Sequence, residues 1–140
     1  MKHSIVLAIF IILFTIPALG QRLENASRST LGYVSSSGVI ENASRSTVGY
    51  FRTDGRLENA SHSTIGFLQS SGTVEDASRR TLGFVLSNGR IENASRTTLG
   101  YVRKDGRVEN SSSRTIGYAS GIEPRLAAAI FFFFNLIPRD

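Results

Sequence analysis

The stretch Pro124-Arg125-Leu126-Ala127-Ala128-Ala129-Ile130-Phe131-Phe132-Phe133-Phe134-Asn135-Leu136-Ile137-Pro138 decides the fold. Successive helical residues advance by about 100°, so four consecutive phenylalanines cover every side of a helix, and a helix apolar all round has to be buried all round. Pro124 suits a first helical turn and Pro138 closes the segment, which predicts a helix over 125–137, about 20 Å long. That is short of a hydrocarbon core of about 30 Å, so a buried plug is expected before a membrane span. A plug needs a sleeve, and the residues upstream are the candidate for it.

From Gln21 to Ser120 the chain repeats every seventeen residues. One glycine series marks the period at Gly38, Gly55, Gly72, Gly89 and Gly106, and a second runs through Gly32, Gly49, Gly66, Gly83, Gly100 and Gly117. A glutamate recurs at Glu24, Glu41, Glu58, Glu75, Glu92 and Glu109, each followed by Asn or Asp. Repeats of this kind build identical supersecondary units, none of which buries its apolar face alone.

One unit reads as a hairpin. Arg90-Ile91-Glu92-Asn93 alternates polar and apolar as a half-buried strand does, and Ala94-Ser95-Arg96-Thr97 is a polar turn. Thr98-Leu99-Gly100-Tyr101-Val102-Arg103 is a second strand, rich in β-branched and aromatic residues. Lys104-Asp105-Gly106 then turns into the next unit, with glycine at the left-handed position of the loop. Turns at both ends of every hairpin give a continuous antiparallel meander, twelve strands from six units. Strict alternation places Leu99 and Tyr101 on one face and Thr98, Gly100 and Val102 on the other, both partly apolar, so pattern alone leaves the inward face open. Glycine in mid-strand marks a close approach, and the central helix is the expected visitor.

Size supports a sleeve. Strands about 4.8 Å apart and tilted by about 40° enclose a radius of roughly 12 Å for twelve strands, 10 Å for ten and 8 Å for eight, against a helix about 10 to 12 Å across. The expected fold is therefore all-β with one C-terminal helix: a closed up-and-down antiparallel barrel of ten to twelve short strands around a hydrophobic helix. Leu126, Ile130, Phe131, Phe132, Phe133, Phe134 and Ile137 are the expected residues of that central helix that fill the barrel. A β-solenoid would leave that helix uncovered, and propeller blades need about 40 residues.

Residues 1–20 read as a secretory signal peptide, with Lys2, an apolar run from Ile5 to Ile16, and Ala18-Leu19-Gly20 before a cleavage that leaves Gln21 first. Residues 21–123 are then the hairpin barrel and 124–138 the central helix. The expected location is periplasmic or secreted. There is no cysteine, so packing alone holds the exported chain and no thiol site is available to zinc or redox chemistry. Of sixteen basic residues the signal removes only Lys2, leaving fifteen against eleven acids. Arginine and glutamate recur together, so this excess reads as a mixed-sign surface and no nucleic-acid partner is expected.

Gly106-Arg107-Val108-Glu109-Asn110, Arg114-Thr115-Ile116-Gly117-Tyr118, Tyr118-Ala119-Ser120-Gly121-Ile122 and the alanines before the phenylalanine run resemble the bacterial 5-fold β-flower proteins. The resemblance covers nearly all of residues 21–140. It implies hairpin petals in a shallow symmetric barrel about a hydrophobic centre, although this chain counts six units, which leaves five-fold or six-fold closure open. A barrel around a hydrophobic C-terminal helix is also similar, in fold alone, to the Tubby C-terminal and phospholipid scramblase domains.

No catalytic constellation stands out. His62 occupies the turn position held by arginine in sister units and reads as a surface substitution. Evenly spaced carboxylates beside arginines read as cross-strand ion pairs, since acid–base pairs need unlike environments. Asn25, Asn42, Asn59, Asn93 and Asn110 lie in Asn-x-Ser sequences, for which turn hydrogen bonding is a simpler cause than glycosylation. Tyr33, Tyr50, Tyr101 and Tyr118 alternate with Phe67 and Phe84, so the hydroxyl is dispensable and packing is their expected role. No cofactor or metal is expected. The reading is an exported, non-catalytic envelope protein of structural or binding role, with a lipid or other apolar ligand, or a membrane surface, as candidate partner. The alternatives are a membrane-active protein using the phenylalanine helix and an uncharacterised enzyme.

Overall fold

The computed structural model describes residues 21–138, so the signal-peptide reading of residues 1–20 lies outside the described part. Twelve strands, from β1 (Gln21–Asn25) to β12 (Thr115–Tyr118), pair antiparallel with their chain neighbours, and β1 pairs with β12 to close the barrel. Closure is by six hairpins. At the glycine level Gly100 pairs with Ile91 on one side and Asn110 on the other, a stagger of two residues per unit and twelve around the ring. Twelve strands with that stagger tilt by about 37° and enclose a radius of roughly 11 Å.

Both rims use the same three-residue loop. At one, Gly89 takes φ 90° and donates its N–H to Leu86; at the other, Arg96 takes φ 68° and donates to Asn93. We call these the glycine rim and the asparagine rim. Asn93 Oδ1 accepts from the N–H groups of Ser95 and Thr97 at 3.0 and 2.9 Å, which accounts for the recurring asparagine.

The inward face is now defined. Leu23, Ile40, Leu57, Val74, Ile91 and Val108 are all at most 1% exposed, and Val34, Leu68, Val85 and Val102 line the barrel near the glycine rim. Gly100 faces the same way. Strict alternation is wrong at one point, however: Thr98 pairs with Glu92 and Gly100 with Ile91, so Leu99 is the extra residue of a β-bulge. The bulge recurs in every hairpin. Leu99 thereby packs against the core, while Tyr101 lies on the outer wall under Arg103.

The central segment is shorter and wider than a thirteen-residue α-helix. It starts at α1 (Pro124–Ala128), capped where Glu123 Oε2 accepts from the Leu126 N–H at 3.1 Å. It continues as a π-helical turn over Ala129–Phe133, closed by Phe134 N–H donating to Ala129 O at 2.8 Å. Phe134 is extended, so Phe134 and Ile137 belong to the filling but not to the helix. Arg125 ties the entrance down by donating to Leu68 O at 3.1 Å and to Glu123 at 2.8 Å.

Candidate functional site

The barrel lining has a ring with no side chains, and the tail supplies them. A methyl placed on Gly117 would lie 2.5 Å from Phe131 Cε1, on Gly100 2.6 Å from Phe132 Cζ, and on Gly83 2.6 Å from Phe133 Cε1. On Gly66 it would meet Phe134 Cε1 at 2.8 Å, on Gly49 Leu136 Cδ2 at 3.4 Å, and on Gly32 Ile137 Cδ1 at 2.8 Å. Each apolar residue of the tail thus fills one glycine gap, and the tail visits the repeats in reverse order. Six units about an axis are about 60° apart, so the α-helical step of about 100° overshoots them, while a π turn closed over one more residue takes a smaller step. This is the physical reason for the widened turn and for its unwinding at Phe134. The three alanines suit the opposite condition. Ala127, Ala128 and Ala129 are fully buried in the part of the barrel whose lining carries full side chains.

Burial is complete on one side only. Phe131 and Ile137 are 1% exposed, whereas Phe132, Phe133, Phe134 and Leu136 are half-buried. Since α1 enters from the glycine rim, these half-exposed side chains face out of the asparagine rim. Around them the bulge residues Val48, Ile65, Leu82, Leu99 and Ile116, also half-buried, form an apolar wall. The result is a shallow apolar cup, floored by the tail and edged by the asparagine turns.

The outer wall carries a second repeated arrangement. Glu92 sits opposite Phe84 across the strands, and Arg96 reaches back from its turn to lie 3.6 Å over the Phe84 ring and 3.2 Å from Glu92. Tyr33 with Arg45, Phe67 with Arg79 and Tyr118 with Arg28 repeat the stacking at 3.4 to 3.5 Å. Where the second and third units meet, His62 stacks on Tyr50 at 4.3 Å, and Arg52 takes over the ion pair with Glu58 at 2.8 Å. His62 is thus a stacking surface residue.

The six carboxylates are less alike than their spacing suggests. Glu58 is 4% exposed between Arg52, Arg56 and His62, whereas Glu41, among the described residues, pairs with Arg45 alone. The hydrogen bond from Arg52, with further help from His62 and the nearby arginine charges, holds the Glu58 carboxyl below its ordinary range against the effect of burial. Asp76, which replaces the turn asparagine, is also lowered, first by the Arg80 backbone N–H and then by the Arg80 side chain and the Ser78 N–H. At the glycine rim two clefts of about 460 and 380 Å³ flank the segment from Gly121 to Leu126.

The fold and its filling define a class: a small closed β-barrel of hairpin petals around an apolar centre. The chain belongs to the family described as 5-fold β-flower proteins, whose model matches residues 20–135. That family is a structural β-barrel fold, and this member closes with six petals. No curated protein and no solved structure matches the chain.

Proposed function

We propose that this chain is an exported, non-catalytic envelope protein with a structural or binding role, taking a lipid or other apolar molecule as its ligand. The observation that carries the reading is the apolar cup, in which Phe132, Phe133, Phe134 and Leu136 stay half-exposed at one end of an otherwise closed core. The outer wall supports the non-catalytic part. It repeats one Glu–Arg–aromatic cluster around the barrel, and all its carboxylates lie beside cations or amide donors. Export rests on Lys2, the apolar run to Ile16 and Ala18-Leu19-Gly20.

Native mass spectrometry of protein purified from the envelope fraction tests the binding role, and N-terminal sequencing of the same material tests export. A retained apolar molecule and a first residue at Gln21 are expected. A ligand-free protein, or one that keeps Met1 in the cytoplasm, overturns the corresponding half.

A further inference from the structure

Three properties of the asparagine rim point to one occupant. The first is the apolar floor and wall just described. The second is charge: among the described residues, the six turns 26–29, 43–46, 60–63, 77–80, 94–97 and 111–114 hold arginines and His62 and no carboxylate. Several of these cations are committed to the outer wall, but Arg114 is exposed with no carboxylate partner there, and Arg80, 81% exposed, has only Asp76. The opposite rim carries Asp54, Asp105 and Glu123 but also Arg52, Arg103, Lys104 and Arg125, so its charges nearly cancel and the excess of cations lies at the asparagine rim. The third is area. A disc of roughly 11 Å radius offers roughly 400 Å², so two copies face to face would bury about 800 Å², below the 1,200 Å² typical of a stable protein interface.

A lipid surface has no such minimum area and supplies both an apolar layer and negative headgroups. We propose that the asparagine rim docks end-on upon an anionic lipid surface, with the cup covering the interfacial hydrocarbon and the turn arginines at headgroup level. The barrel lies on the surface and does not span it. Its strands are four or five residues long, against nine to eleven for a membrane-crossing strand, and its outer wall carries ion pairs where a spanning barrel is apolar. This proposal rests on the apolar-binding reading above and narrows it to a bilayer.

The chain has no tryptophan, so a single introduced one reports its own surroundings. Ala94→Trp marks the tip of an asparagine-rim turn, and Ser70→Trp the equivalent exposed tip at the glycine rim. Each variant is mixed with vesicles of phosphatidylglycerol and phosphatidylcholine, and with phosphatidylcholine alone. Docking predicts a blue shift and protection from aqueous quencher for Ala94→Trp with the anionic vesicles, and neither for Ser70→Trp. Raised salt should weaken the shift, and Arg114→Glu should lower partitioning about tenfold or more, since each basic residue near an anionic surface contributes about fivefold.

Absence of vesicle binding by the folded protein overturns the proposal, as does a shift confined to Ser70→Trp. A concentration-dependent shift of Ala94→Trp without vesicles assigns the cup to a second copy and also overturns it. A retained single apolar molecule in a protein that ignores vesicles refutes the membrane while leaving the binding reading intact. Circular dichroism and the melting temperature of each variant establish that a negative result comes from a folded barrel.

Discussion

The ring of Phe133 occupies the space that a side chain on Gly83 would fill, 2.6 Å from where its Cβ would stand. The relationship is reciprocal, because the glycine is tolerable in mid-strand only while the ring covers it, and the ring is half-buried only because the glycine is bare. Gly83→Ala should therefore destabilise the barrel by about 1 to 3 kcal/mol through overpacking, since the backbone oxygen of Glu92 also crowds that Cβ. Combining it with Phe133→Leu should cost less than the two single losses added together. Thermal or urea unfolding of the four proteins in a double-mutant cycle measures the coupling; strict additivity would refute it.

The four phenylalanines should not be equivalent. Phe131, 1% exposed, should lose about 3 to 5 kcal/mol on truncation to alanine, whereas half-buried Phe132 and Phe133 should each lose less. Deleting residues 124–140 should leave an aggregating or unfolded chain. A truncated protein that keeps its melting temperature would show that the barrel stands without its filling.

At the asparagine rim, a left-handed backbone is held by an arginine where glycine would be unstrained. For Arg96, φ 68° carries a steric cost of about 1 to 2 kcal/mol for an L residue, against which stand the contacts to Phe84 and Glu92. Arg96→Ala, which keeps the strain and loses the contacts, should be the more damaging change. Arg96→Gly should unfold at a temperature nearer to that of the parent. The reverse order would mean that the left-handed backbone at this turn carries no strain for glycine to relieve.

Acid should weaken the fold. A carboxyl whose folded pKa is depressed contributes stability that is present above its unfolded pKa and is lost as pH falls through the folded value. For Glu58 and Asp76 that places the loss below the ordinary carboxyl values of 4.5 and 3.8. Urea unfolding followed from pH 6 downward should show the decline, and Glu58→Gln should flatten it. An unchanged slope in that variant would remove Glu58 from the account.

The strands, both turn types and the closure were legible because they depend on local chemistry repeated at one spacing. Gly89 and Asn93 announce their turns, and the glycine in mid-strand announces a close neighbour. The inward face was hidden by Leu99: a bulge residue breaks the two-residue alternation without leaving any composition of its own. The end of the helix was hidden for a different reason. Phe131 to Phe134 have ordinary helical preferences, and only the angular spacing of Gly117, Gly100, Gly83 and Gly66 around a closed ring makes a narrower step favourable. The cup followed from neither stretch alone, since it needs the bulge residues and the tail at the same end.

The pairing of tail residues with successive petals means that the C-terminus keeps a tally of the array. Phe131 through Phe134, then Leu136 and Ile137, account for six gaps. A chain that lost one seventeen-residue petal would hold one apolar side chain too many, and a chain that gained one would have a hole in its wall. Petal number and tail length are therefore free to change only together, and a barrel of different symmetry should carry a tail edited by one residue for each petal gained or lost.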